Sequence, residues 1–102
     1  MTRIERKAKL KPGCELEYIR RHKEVWPEVL NLIKKSGVKN YFIFISGSDL
    51  FSYLEVDDWD LAIKSMLADP IGSKFQEYMA PLMDSFTPES PWEIVEEVFH
   101  LD

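Results

Sequence analysis

Helical spacing places two side chains with acid/base chemistry together near the start of the chain. Tyr18 and His22 are four residues apart in a stretch, 15–27, whose residue pattern is typical of a helix, so they share one helix face. An imidazole changes charge near pH 6.5, and a phenol beside it can help to exchange and orient protons. Such pairs also occur on helix surfaces without any chemistry. On residue types alone, the pair is a candidate for proton transfer, and a structural role stays open.

Motifs for other chemistries are not found in the sequence. The four glycines are scattered and form no phosphate-binding loop, and no serine lies in a Gly-x-Ser-x-Gly context. His22, His100 and Cys14 are too far apart in sequence to form a metal-binding motif, so we expect no metal. Asp57 and Asp58 are explained by the start of a helix. Cys14 is the single cysteine and cannot form an internal disulfide, which favours a cytoplasmic location.

Length and composition are those of one globular domain spanning residues 1–102. Of these residues, 45% are hydrophobic and 30% charged, and no apolar run is long enough to cross a membrane. The charges are uneven: residues 1–46 contain 11 Lys/Arg and 5 Asp/Glu, whereas residues 47–102 contain 2 and 13. We expect the two halves to pair with each other, within one subunit or between subunits, so nucleic-acid binding is not expected.

The hydrophobic pattern predicts a strand, a broken helix, a hairpin, a second broken helix and a final strand. Residues 3–10 alternate as in a strand, with Arg6 as the one exception. Pro27 is predicted to begin a second helical piece that stops at Gly37, and Pro70 to begin another that bends or ends near Pro81. The other predicted elements are strands 38–46 and 50–56 around a turn at 47–49, a helix from 57, a loop at 87–91, and a strand at 93–101. This β-α-β-β-α-β order predicts a ferredoxin-like α+β fold, a split βαβ antiparallel sheet with helices on one face.

The strand at 38–46 is apolar on both of its faces. Phe42 and Phe44 are predicted to face one way, and Tyr41, Ile43 and Ile45 the other. Helices can cover only one face of such a sheet, so an exposed apolar surface would remain. A second copy of the chain, packed sheet to sheet, is the simplest cover. We therefore predict a homodimeric α+β barrel, with a pocket between sheet and helices or at the subunit seam.

Several short motifs resemble those of the L-rhamnose mutarotases, and the resemblance covers almost the whole chain. The most specific is Tyr-x-Arg-Arg-His followed closely by Trp-Pro-Glu. The matching segments are Tyr18–His22, Trp26–Glu28, Gly37, Asn40–Tyr41, Tyr78–Met79 and Glu97–Leu101. The resemblance implies a cytoplasmic, dimeric ferredoxin-like enzyme of rhamnose catabolism that interconverts the α and β anomers of the sugar. It also implies that no metal or organic cofactor is needed.

Site residues carry over from the family by position. His22 corresponds to the family's proton donor, and Tyr18 and Tyr41 correspond to sugar-binding positions. The family also has a Trp-Trp pair just before its Tyr-Met, where this chain has Phe75 and Gln76. Phe75 keeps a ring for stacking on the sugar, but Gln76 replaces apolar surface with an amide. This departure leaves the expected reaction class unchanged but leaves open which sugar is preferred.

Anomer exchange needs only a small set of groups. A proton is placed on the ring oxygen and another is taken from the anomeric hydroxyl; the ring opens, the C1–C2 bond rotates, and the ring closes again. We expect His22 to protonate the ring oxygen and Tyr18 to orient it or the sugar. The sequence leaves open the base, the preferred anomer and the role of His100. It also leaves open a non-catalytic sugar-binding or dimerisation module, and an oxygenase on the same scaffold.

Overall fold

Nine helices and strands and one 3₁₀ turn make up the described part of the chain. The computed structural model describes residues 2–84 and 91–102. In chain order the elements are β1 (Thr2–Leu10), α1 (Glu15–Lys23), α2 (Pro27–Lys35), β2 (Lys39–Ser46), β3 (Asp49–Val56), α3 (Trp59–Ala68), α4 (Pro70–Met79), a 3₁₀ turn (Ala80–Leu82), β4 (Met83–Asp84) and β5 (Glu93–Val95). No helix in these ranges is long and apolar enough to cross a membrane.

Prolines, a glycine and an aspartate set the helix boundaries, as predicted. Pro27 and Pro70 occupy the first turns of α2 and α4, where a proline removes no hydrogen bond that the helix needs. Gly37 follows α2 with a φ of +88°, a left-handed conformation that favours glycine. Asp58 caps α3, because its carboxylate accepts a hydrogen bond from the backbone N–H of Leu61 at 3.1 Å.

The sheet is antiparallel, with the strand order β2-β3-β1-β4 and with β5 also paired to β1. β4 joins the end of β1 at Lys9 and Leu10, and β5 joins its middle at Glu5 to Lys7. This arrangement confirms the predicted ferredoxin-like α+β fold. The two-residue strand β4 was not anticipated: Met83, which continues a helical spacing in the sequence, lies in it.

The helices cover one face of the sheet and leave the other exposed in the single chain. Leu50, Leu54 and Val56 of β3 point to the covered face and are at most 1% exposed. Phe42 and Phe44 of β2 point away from it and remain 51% and 56% exposed. The predicted division of β2 into two apolar faces is therefore confirmed.

The final strand is much shorter than predicted. Instead of spanning 93–101, β5 ends at Val95, which lies opposite Glu5 of β1. In this register Val98 would lie opposite Thr2, the first residue of β1, so the residues after Val98 would have no partner on β1. The residues beyond Val95 are held partly by side chains, since Arg3 binds both carboxylate oxygens of Glu97 at 2.9 Å. Of the predicted loop at 87–91, residues 87–90 lie outside the described residues.

Ion pairs join the basic and acidic halves of the chain, in line with the charge distribution. Lys7 lies 3.5 Å from Glu93, and Lys9 lies 3.7 Å from Asp49. With the Arg3–Glu97 pair, these contacts connect β1 to residues of the acidic half. All are at least partly exposed, so each contributes little to stability by itself.

Strand β2 contains one extra residue near its start. Lys39 lies opposite Glu55 and Phe42 opposite Tyr53, so three residue steps on β2 match two on β3. Asn40 lies in this bulge with a φ of +49°, and its side-chain amide donates to Glu55 at 2.7 Å. After the bulge, Tyr41 points to the helix-covered face of the sheet.

Helices α3 and α4 approach each other most closely at Gly72. A methyl group added at its α-carbon would lie 2.1 Å from the backbone oxygen of Met66 and 3.1 Å from Leu32 Cδ2. Only glycine fits this contact without a shift of one helix.

Candidate active site

A cavity of about 370 Å³ lies between the sheet and the helices. Most of its wall is apolar and comes from α2, α3, α4 and β3. Its polar or aromatic lining residues are Arg6, Tyr18, Tyr41, Trp59, Phe75, Gln76 and Trp92. The cavity therefore collects the four predicted substrate-binding residues, Tyr18, Tyr41, Phe75 and Gln76, from α1, β2 and α4. A mostly apolar cavity of this size with a few polar groups is typical of a small-molecule site.

His22 is next to this cavity but is not one of the residues that line it. Its ring lies 4.3 Å from the Tyr18 ring and 6.4 Å from the Phe75 ring, measured between centroids. Of this predicted pair, Tyr18 therefore lines the cavity and His22 does not. The helical spacing placed the two rings together, as predicted, but it did not place the imidazole on the cavity wall.

The hydrogen bond of this pair does not involve the phenol. Nδ1 of His22 lies 3.1 Å from the backbone oxygen of Tyr18, which can only accept, so Nδ1 carries the proton. In the neutral ring, Nε2 is then free of a proton and can accept one. Burial lowers the pKa of His22 below its ordinary value of 6.5, and the bond to Tyr18 only partly opposes this. The imidazole is therefore neutral near pH 7.

Tyr18, Tyr41 and Arg6 form the polar corner of the cavity. Tyr18 is 4% exposed, and burial together with the nearby Tyr41 raises the pKa of its phenol, so it stays protonated. Arg6 donates from Nη2 to the Tyr41 hydroxyl at 2.7 Å. Because a guanidinium has no acceptor, the hydroxyl proton of Tyr41 must point elsewhere and can be donated to a ligand.

The Arg6 guanidinium lies among three aromatic rings on the cavity wall. Its central carbon is 4.7 Å from the ring centre of Trp92, 5.3 Å from Trp59 and 5.7 Å from Tyr41. Nε also donates to the Ser52 hydroxyl at 3.1 Å. Contact between a cation and aromatic rings is favourable, so these rings hold the charged group in place.

Phe75 is held in place by an aromatic cluster between α4 and the α1–α2 connection. Trp26 meets the Phe75 ring edge to face at 5.1 Å and stacks on Tyr78 at 5.3 Å. Tyr78 also lies 3.9 Å from the guanidinium carbon of Arg21 on α1. The ring that could stack on a sugar is therefore fixed by contacts from outside the cavity, while Gln76, the next residue, lines the cavity beside it.

Sequence reasoning missed three residues of this cavity, Arg6, Trp59 and Trp92. A signal for Arg6 was present, since it interrupts the apolar face of β1 between Ile4 and Ala8. In the described ranges, no three His, Cys, Asp or Glu side chains converge as metal ligands.

Comparisons with known proteins show which family this chain is similar to. The family model described as L-rhamnose mutarotase matches residues 3–101. The chain is 42% identical over 89 residues to the L-rhamnose mutarotase of Lactiplantibacillus plantarum, covering 84% of this chain and 85% of that protein. It is 40% identical over 105 residues to that of Listeria monocytogenes, covering 99% of each chain.

Two solved structures extend the comparison. The crystal structure of an L-rhamnose mutarotase from Formosa agariphila superposes with a TM-score of 0.85 at 31% identity, covering all of both chains. Tetracenomycin F2 cyclase from Streptomyces glaucescens, at 13% identity and a TM-score of 0.67, shares the fold alone. The extent of the family match and the identity to these relatives show that this chain is a member of the L-rhamnose mutarotase family, whose members are carbohydrate isomerases.

Proposed function

We propose that this protein interconverts the α and β anomers of L-rhamnose by opening and closing the sugar ring. The observation that carries the proposal is that Tyr18, Tyr41, Phe75 and Gln76 line one cavity of about 370 Å³. This volume suits a single monosaccharide. Phe75 presents an apolar ring to the C–H face of a sugar, and the two tyrosines and the glutamine present hydrogen-bonding groups to its hydroxyls.

The acid/base roles are assigned from the protonation states of the site. His22 is the proposed proton donor to the ring oxygen: Nε2 is unprotonated in the neutral ring, so it first takes up a proton from solvent, and the imidazolium then transfers this proton to the sugar. Tyr18 and Tyr41 bind the sugar, and the hydroxyl proton of Tyr41 points away from Arg6. Ring opening and ring closure use the same groups in opposite directions.

Measurement of anomer exchange by saturation-transfer NMR tests the proposal. The wild-type protein is expected to increase the exchange rate of L-rhamnose in proportion to enzyme concentration. A binding module without activity would shift protein resonances on adding the sugar but leave the exchange rate unchanged, and that result would overturn the proposal. Testing 6-deoxy and ordinary hexoses in the same way identifies the preferred sugar.

Variants of His22 test its role directly. Because His22 lies beside the cavity wall, the experiment must separate a proton donor from a residue that only positions Tyr18. His22→Ala is expected to lower kcat by about 10²–10⁴-fold, the usual contribution of general acid/base catalysis. His22→Gln can keep a side-chain hydrogen bond to the Tyr18 backbone but cannot donate a proton reversibly. Recovery of activity in His22→Gln would assign a positioning role instead.

The proposed assembly is a homodimer formed through the uncovered face of the sheet. Phe42, Phe44 and Phe51 are 51%, 56% and 48% exposed on this face, and the first two rings stack at 6.0 Å. Aromatic rings at this exposure form an apolar patch that a second copy would bury. Sedimentation of Phe44→Asp, compared with Lys34→Asp on helix α2, tests the proposal. A wild-type monomer at micromolar concentration would refute it.

The remaining proposals concern the extent of the domain and its location. We propose that residues 1–102 fold as one domain and that the enzyme acts in the cytoplasm, where the single Cys14 would stay reduced. Cell fractionation tests the location, and a single cooperative unfolding transition tests the domain.

A further inference from the structure

Arg6 is the one charged residue among the described residues that line the cavity. The rest of that lining is apolar, aromatic or uncharged, with no carboxylate. Removing a cation from bulk water is costly unless it is paired or hydrogen-bonded. An arginine at this position of β1 therefore needs a physical reason.

The protein contacts of Arg6 use only part of its hydrogen-bonding capacity. Nε donates to Ser52 and one Nη2 hydrogen is directed to Tyr41. A guanidinium has five N–H donors, so three remain. Within residues 2–84 and 91–102 no carboxylate is paired with Arg6, whereas Arg3, Arg20 and Arg21 all are. The side chain is held in place by the ring contacts but has no carboxylate partner among the described residues.

The three remaining donors suit one particular kind of ligand group. Arginine N–H groups form a planar fork that matches the two oxygens of a carboxylate. A sugar hydroxyl could accept from one of them but would leave the positive charge unbalanced. Gln76 also lines the cavity, so its wall offers an amide in addition to the Arg6 cation.

We propose that this cavity accepts an aldose carrying a carboxylate at C6, a hexuronate, and that Arg6 binds this carboxylate. The inference rests on the proposed anomer exchange and specifies the substrate class of the same site. The anomeric hydroxyl of a hexuronate is free, as ring opening requires. A phosphate could also pair with Arg6, so a 6-phosphosugar is included in the test.

Three sugars that differ only at C6 give a matched test. L-rhamnose, L-mannose and L-mannuronate share the same ring configuration and carry a methyl, a hydroxymethyl and a carboxylate. Their anomer exchange is measured by saturation-transfer NMR with wild type, Arg6→Met and Lys34→Met; L-mannose 6-phosphate is a fourth substrate. Lys34→Met on α2 removes one positive charge outside the cavity lining and serves as the control.

The proposal predicts that wild type accelerates L-mannuronate and that Arg6→Met lowers its kcat/KM about 10- to 100-fold more than that of L-rhamnose, mainly through KM. Lys34→Met is expected to leave both unchanged. Equal losses for both sugars in Arg6→Met, or acceleration of L-rhamnose without L-mannuronate, would overturn it. A preference for the 6-phosphate over the uronate would assign Arg6 to phosphate instead and also overturn it.

Two further measurements keep the outcome decisive. If Arg6→Met does not fold, wild type is compared on L-mannuronate and its neutral methyl ester, and equal kcat/KM values refute the role of the charge. If the anomer exchange of no sugar is accelerated, the proposed function is refuted, but the inference about Arg6 is not yet decided. Titration with L-mannuronate and L-rhamnose, followed by protein NMR shifts, then decides the inference: tighter binding of the uronate supports it, and equal binding overturns it.

Discussion

Replacing Gly72 by alanine sets two effects of opposite sign against each other. Gly72 is in the first turn of α4, and its φ is outside the left-handed region, so its backbone suits any residue. Helix propensity alone favours alanine over glycine by up to about 1 kcal/mol. However, the new Cβ would lie 2.1 Å from the Met66 backbone oxygen, a distance at which real Cβ contacts essentially never occur.

The packing effect is expected to be larger. Because the clashing atom is backbone, α3 and α4 would have to separate by roughly an ångström, and overpacking of this kind costs about 1–3 kcal/mol. After subtracting a propensity gain of about 1 kcal/mol, Gly72→Ala should destabilise the fold by up to about 2 kcal/mol. For a domain of this size each kcal/mol lowers Tm by about 4–8 °C.

Thermal and urea unfolding measure this effect, with Ser65→Ala as the matched control. Ser65 is exposed on α3, so its replacement changes helix propensity without changing the contact and should be neutral or slightly stabilising. The displaced α4 carries Phe75 and Gln76, so sugar binding should weaken as well. A Gly72→Ala protein stabilised by about 1 kcal/mol, as helix propensity alone predicts, would refute the reasoning, because the two helices would then separate without cost.

Three further predictions concern the core, a helix cap and pH. Leu50→Ala, at a fully buried position, should lower the free energy of unfolding by about 2–5 kcal/mol in urea titrations, and a loss below 1 kcal/mol would contradict its place in the core. Asp58→Ala should cost about 0.5–2 kcal/mol in the same assay, because the Leu61 N–H loses its acceptor; an unchanged midpoint would show that water replaces the cap. Since burial lowers the pKa of His22, the unfolded chain takes up this proton first as pH falls, so wild-type stability should decline below about pH 6.5 and level off below the folded-state pKa. His22→Gln should lose this part of the pH dependence, and an identical pH profile would contradict burial of the imidazole.

Local residue chemistry was sufficient to predict the helices and the hairpin. Pro27, Pro70 and Gly37 act on their own backbone or its immediate neighbours, so their effect on helix boundaries does not depend on the rest of the fold. The alternation in β2 predicted its two faces for the same reason. The four proposed binding residues line one cavity because α1, β2 and α4, which carry them, pack together in the predicted fold.

The remaining features depend on contacts between distant parts of the chain. The start of β1 limits β5 only beyond Val98, and the pattern of residues 93–101 does not encode the earlier end of this strand at Val95. The contacts of Arg6 with three aromatic rings join β1, β2, α3 and Trp92, and they form only when these parts of the chain pack together. The side of α1 on which His22 sits relative to the cavity likewise depends on α4, since Phe75 supplies the adjoining wall.

The bulge at Asn40 determines which face of the sheet each later residue of β2 points to. Val38 and Tyr41 are three positions apart, an odd interval that regular alternation would send to opposite sides, yet both line the cavity. Deleting a single residue between them would turn either the valine out of the core or the tyrosine away from the cavity. Insertions or deletions in this stretch are therefore expected to keep both side chains on the cavity side only when they involve an even number of residues. A relative that lacks one residue here is expected to bind its ligand without the Tyr41 hydroxyl.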